Sequence, residues 1–186
     1  DGDRPQGRER EVGLMANRTK ETAHYVIARA QPEKLGATKL NKSMWVADVL
    51  CYMQNGHTIT GQHSYKKLQN GPVPNGIVAC LKALIKEGKI VRRDVPTPIG
   101  NRHEYVWLEE PPVSVFSSSE IDLLNRSINW VCNNHTANSI SKWTHDALWE
   151  ETPMGQQISI VAASVNAIPP ETKQLKWALA RSNERI

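Results

Sequence analysis

Thr38-Lys39-Leu40-Asn41-Lys42-Ser43-Met44-Trp45-Val46-Ala47-Asp48-Val49-Leu50-Cys51-Tyr52-Met53-Gln54-Asn55-Gly56 is the stretch that sets the fold class. Leu40, Met44, Ala47 and Cys51 recur at the spacing of one helical stripe, and Val46, Val49, Leu50 and Met53 widen it. Asn55-Gly56 then offers the left-handed cap at which helices stop. A helix over 38–55 is predicted.

Upstream, Ala23, Val26, Ile27 and Ala30 mark a short amphipathic helix from Thr22, ended at Gln31-Pro32 because a residue before proline avoids helical angles. Residues 1–14 are polar, charged and glycine-bearing, and read as a flexible tail, with Met15 as an alternative natural start. Downstream, Ser64-Tyr65-Lys66-Lys67-Leu68 reads as an exposed short strand beside a loop. Asn70 to Gly76 follows as a stiff turn, since Pro72 and Pro74 fix their own φ and restrict Gly71 and Val73. Asn75 is expected to cap a helix with Ile77, Val78, Leu81, Leu84 and Ile85 on one face, closed by Gly88.

Ile90-Val91 and Tyr105-Val106-Trp107-Leu108 read as the arms of a β-hairpin around Pro96 to Asn101. Ser117 and Glu120 have capping-box spacing before a helix reaching about Asn134. Ser139 is expected to cap a helix running to about Trp149, with Ile140, Trp143, Ala147 and Leu148 inward. Residues 158–165 are apolar and fit strand or helix, and Pro169-Pro170 opens a last helix from Glu171 to about Arg181. The order implies a mainly α fold with a small antiparallel β-hairpin, an α+β class: a compact helical domain with a winged-helix-like hairpin. The expected division is a tail over 1–14, one domain over 15–168 and a C-terminal helix over 169–186.

The chain has 186 residues, 39% of them hydrophobic and 23% charged, the balance of an ordinary globular domain. No run approaches the roughly 20 apolar residues that cross a bilayer, and no apolar segment follows the N-terminus as in a signal peptide. A cytoplasmic location with no membrane partner is expected. Cys51, Cys80 and Cys132 lie far apart, which argues against a disulfide framework or a cysteine zinc site and for reduced core thiols. His24, His57, His63, His103, His135 and His145 show no ligand spacing. There is no P-loop, nucleophile elbow or dinucleotide fingerprint. No metal, no cofactor and no enzyme activity are expected.

Several phrases together resemble a known family. Lys39-Leu40-Asn41-Lys42 leads into Trp45-Val46-Ala47-Asp48; then come Ile59-Thr60-Gly61 and Gly71-Pro72-Val73-Pro74-Asn75-Gly76. Thr144-His145, Trp149, Thr152-Pro153-Met154-Gly155 and Ile158 follow. Their order and spacing, from about Ala23 to Val165, resemble the Panacea domain, or SocA-like antitoxin domain. Ser43-Met44-Trp45 and Gln62-His63-Ser64 depart from the family pattern. The resemblance implies an antitoxin of a bacterial, phage or other mobile-element system that binds a cognate protein toxin directly.

Candidate site residues carry more than one reading. Asp48, near an apolar helix face, either finds an internal hydrogen bond or recognises a partner or ligand. Gly71, Pro72, Val73 and Pro74 form either a binding loop or a stiff connector. His145 and Trp149, one helical turn apart, read mainly as a packed pair. Tyr65, Lys66 and Lys67 and the hairpin tip near Pro98 to His103 are further candidate contacts. The alternatives are an adaptor that delivers a partner to a protease, and a winged-helix-like regulator bound to operator DNA. In the DNA reading Lys82, Lys86, Lys89, Arg92, Arg93 and Arg102 would contact phosphates. The net charge of +4 permits that contact without demanding it.

Overall fold

The computed structural model describes residues 5–97 and 100–166. Two long helices lead: α1 (Pro5–Arg29) and α2 (Pro32–Asn55). A hairpin of β1 (Ser64–Leu68) and β2 (Gly71–Val73) precedes α3 (Ile77–Lys86). A second hairpin, β3 (Ile90–Thr97) and β4 (Gly100–Trp107), leads through a short 3-10 turn to α4 (Ser118–Asn133). The chain continues through α5 (Ala137–Thr144), α6 (Ala147–Glu151), β5 (Gln157–Ser159) and α7 (Ile160–Asn166). The fold is α+β and mainly helical, with small antiparallel sheets, as the sequence implies.

α2 is the spine. Its 38–55 portion was legible, and Gly56 caps it at φ 73° as expected. The helix also reaches back to Pro32 across a kink at Gly36, whose φ of 59° breaks the helical path. Nearly every face of α2 is buried, so its flanks must be covered by other elements. α4 covers one with Leu124, Ile128 and Val131, and α1 covers another with Ala23, Val26 and Ile27. Polar residues on a spine need partners. Lys39 Nζ donates to the Cys132 carbonyl at 3.2 Å, and Ser127 Oγ donates to the Ser43 carbonyl at 2.7 Å.

Several expectations change. α1 begins at Pro5, inside the segment read as a tail. Gly71–Val73 is a strand, not a free turn, because β1 pairs with it from Lys66↔Val73 to Leu68↔Gly71. β1 also pairs with β5, Tyr65↔Ile158, so the sheet order is β2-β1-β5. The ambiguous 158–165 stretch is both things: β5 and then α7. α3 is rotated from its expected face: Ile77, Cys80 and Leu84 are buried while Val78 and Ile85 are exposed, since α3 docks on α1. Asn75 does not cap α3, because its amide is bonded to the Ser64 carbonyl and to Gln157; Gly76 takes the N-cap position at φ 75°.

Two further elements follow the sequence closely. β3 and β4 form the expected hairpin, and Ser117 with Glu120 closes the expected capping box of α4. The helix expected from Ser139 to Trp149 instead splits at His145, and Thr136, not Ser139, caps α5. The C-terminal helix expected over 171–181, and Pro98 and Ile99 of the hairpin tip, lie outside the described residues.

Candidate partner-binding face

Three buried polar groups hold one side of α2 in shape. Asp48 is fully buried, accepting from Thr60 N at 3.0 Å, from the Thr60 hydroxyl and from Tyr65 Oη at 2.8 Å. Burial pushes its carboxyl up to about 6, against the pull of the Thr60 and Tyr65 hydrogen bonds. Tyr65 is pushed up as well, by burial and by the neighbouring carboxylate. This is the internal-bond reading of Asp48: it pins the Ile59-Thr60-Gly61 loop and β1 to the spine.

The Tyr65-Lys66-Lys67 segment, expected to be exposed, is instead exposed only at Lys66, because a strand alternates its side chains between two faces. Lys66 points out, while Tyr65 and Lys67 point in. Lys67 Nζ lies 4.4 Å from the centroid of the Trp149 ring and donates to the Trp149 carbonyl. His145 covers that ring in parallel, with centroids 4.1 Å apart and planes within 2°. The pairing of His145 and Trp149 is therefore present, but across the α5–α6 corner rather than along one helix. Burial, then Lys42, moves the His145 imidazole below its ordinary value.

Lys42 sits beneath β2, fully buried, with its ammonium donating to Thr144 Oγ1. Burial lowers it to about 8. Gly71, at φ 134°, passes directly over it: a Cβ at Gly71 would lie 2.2 Å from Lys42 Nζ. Pro72 and Pro74 are buried and Val73 half-buried, so the Gly-Pro-Val-Pro run is a wall more than a loop.

Beside that wall runs an apolar groove of about 400 Å³. Val46, Val49 and Met53 of α2 form one side, Trp143 of α5 and Leu148 and Trp149 of α6 the other. Pro72, Ile158 and Ala163 also line it. A second hollow of about 420 Å³ shares Val46, Leu50 and Trp143 and continues the apolar surface past Trp130 towards Arg126. Trp143 is 56% exposed and Met53 41%. α5 buries Ile140 and Thr144, one turn apart, and Trp143 lies off that face with its ring edge-on to Trp130, centroids 4.4 Å apart. The sequence reading placed Trp143 inward and did not single out Met53 or Leu148 as contacts.

The basic candidates for DNA are partly spent within the fold. Arg93 and Arg102 both bind Glu104, whose carboxyl they hold below its ordinary range. Arg92 lies 3.6 Å from Asp94, and Lys89 lies 3.1 Å from Glu87. Lys82 and Lys86 are exposed on α3. Among the described residues, Cys51, His57 and Glu120 bring potential metal ligands within 4.8 Å. Those ligand atoms already have partners: Glu120 binds Arg18 and caps α4 through Ser117 N, and Cys51 Sγ accepts from Asn55 at 3.5 Å. All three cysteines are buried and none is in a disulfide.

The family model described as "Antitoxin SocA-like, Panacea domain" matches residues 40–150. The chain belongs to this family. No curated protein and no solved structure matches it. The matched Panacea segment runs from the spine α2 to α6 and so contains the Asp48 hub, the Gly71 wall and most of the groove. It is narrower than the span from Ala23 to Val165 that the motifs suggested. β5 and α7, which complete the groove with Ile158 and Ala163, lie beyond it. No described helix of this Panacea protein is long and apolar enough to cross a membrane.

Proposed function

We propose that this Panacea protein neutralises a cognate protein toxin by direct binding, with the groove between α2, α5 and α6 as the central contact. The observation that carries the reading is the exposure of Trp143 and Met53 on a continuous apolar hollow inside a domain of an antitoxin family. Large apolar surfaces rimmed by polar residues mark binding sites, and aromatic anchors dominate interface energies. Neutralisation is by occlusion, with no chemistry on the toxin. Lys66 and Val73, at the outer edge of the Gly71 wall, extend the contact. Buried thiols held in no disulfide suit the reducing cytoplasm of a bacterial host.

The test is co-expression with the adjacent gene of the native locus. The neighbour alone should arrest growth, and this protein should restore growth and co-purify with it. Trp143→Asp and Met53→Asp, both at exposed positions, should fold and lose the rescue. A neighbour that is harmless or does not bind removes the reading and makes operator DNA, titrated against salt, the next partner to test. A toxin bound but degraded, with levels restored by protease inhibition, would identify the adaptor role instead.

A further inference from the structure

The groove has a candidate occupant in the same chain. α7 ends at Asn166, and Ala163, less than one turn earlier, lines the groove. The chain therefore leaves the described fold from the wall of the hollow. α7 also leaves Val161 and Val165 uncovered, 44% and 66% exposed.

The residues that follow have a fitting composition. Pro169-Pro170 comes after only two residues and restricts the link. Beyond it Leu175, Ala178 and Leu179 stand at helical spacing, an apolar stripe sized for a shallow hollow. Charge agrees too. Between Glu171 and Arg181 the segment has three cations, Lys173, Lys176 and Arg181, against one acid. Asp146, just ahead of α6, is the acidic residue in the groove's lining, and Glu150 and Glu151 of α6 are exposed.

We propose that residues 167–186 dock intramolecularly in the groove formed by α2, α5 and α6, through Leu175 and Leu179. A short tether raises the local concentration of the segment to a level no free partner matches, so two leucines suffice. Any partner that uses the groove must then displace the segment, which sets a threshold for binding. The occupancy itself concerns the free protein and stands apart from the toxin reading.

The experiment uses the full chain. Cys51, Cys80 and Cys132 are buried, so a nitroxide directed to Ser182→Cys labels the segment selectively. The protein carries 13C-methyl methionine, and the Met53 signal is assigned with Met53→Leu. The expected result is a severalfold loss of Met53 intensity against the reduced label, restored by Leu175→Asp with Leu179→Asp. The methyl of Met44, fully buried, reports that each variant is folded. An unaffected Met53 overturns the proposal. Equal loss in a mixture of spin-labelled chains and separate isotope-labelled chains also overturns it, because the occupant is then a second copy.

Discussion

Asp48 is an ionisable group enclosed on every side, which ties stability to pH in a definite direction. Its folded pKa of about 6 stands above the ordinary 3.8. The folded state thus retains a proton that the unfolded chain has released between those values. The Asp48 contribution to stability is fullest below about 3.8 and declines as pH rises to about 6, by roughly 3 kcal/mol. Urea titrations of Asp48→Asn beside the parent should show the variant gaining relative stability across that window. Parallel pH curves would contradict the assignment. Lys42 works in the opposite sense. Its folded value of about 8 lies below 10.5, so the cost of burying its charge is complete below about 8 and fades as pH rises between them. Lys42→Met should raise the neutral-pH unfolding free energy by about 1–3 kcal/mol, as replacement of buried charge by an apolar chain of similar shape often does. Gly71→Ala should lower it by about 1–3 kcal/mol through backbone strain, and by less in the Lys42→Met background, where the nearest clash is gone.

At the scale of elements, α4 shows how a local signal and a distant one share a residue. Ser117 and Glu120 complete a capping box, and the same Glu120 receives Arg18 from α1. Ser117→Ala should cost about 1 kcal/mol. Glu120→Ala should cost more, because the part-buried Arg18 then loses its carboxylate. Denaturant midpoints at unchanged slope would separate the two, and equal losses would mean the Arg18 bridge contributes nothing. The cap was legible because its signal lies within four residues. The Arg18 bridge was not, because its partner is a hundred residues away. The same division runs through the fold. The 38–55 portion of α2, the Gly56 cap and the β3–β4 hairpin follow from nearby spacing. The strand character of Gly71–Val73 depends on pairing with β1, and prolines there imitate a turn. The rotation of α3 depends on where α1 lies. The groove was the least legible part, since α5 buries Ile140 and Thr144 rather than Trp143, and no local pattern announces that face or the break at His145.

For the molecule as a whole, charge and apolar surface lie apart. The hairpin arginines are matched by Glu104 and Asp94, while the groove offers few formal charges. Binding through the groove should therefore respond weakly to ionic strength, changing less than about tenfold between roughly 50 and 200 mM salt. Binding through six to ten phosphate contacts would fall by about a thousandfold or more over the same range. A calorimetric salt series on the purified complex distinguishes the two.

The β2-β1-β5 sheet also has a bearing on time. β1 is synthesised early, but its partner β5 follows some ninety residues later, and Ile158 of β5 belongs both to the core and to the groove. At about 5–20 residues per second, translation separates the two strands by several seconds. Throughout that interval the nascent chain holds an unfinished binding face. A message cut short between α2 and β5 yields a protein with a spine but no closed sheet, so the groove is complete only once nearly the whole described fold has left the ribosome.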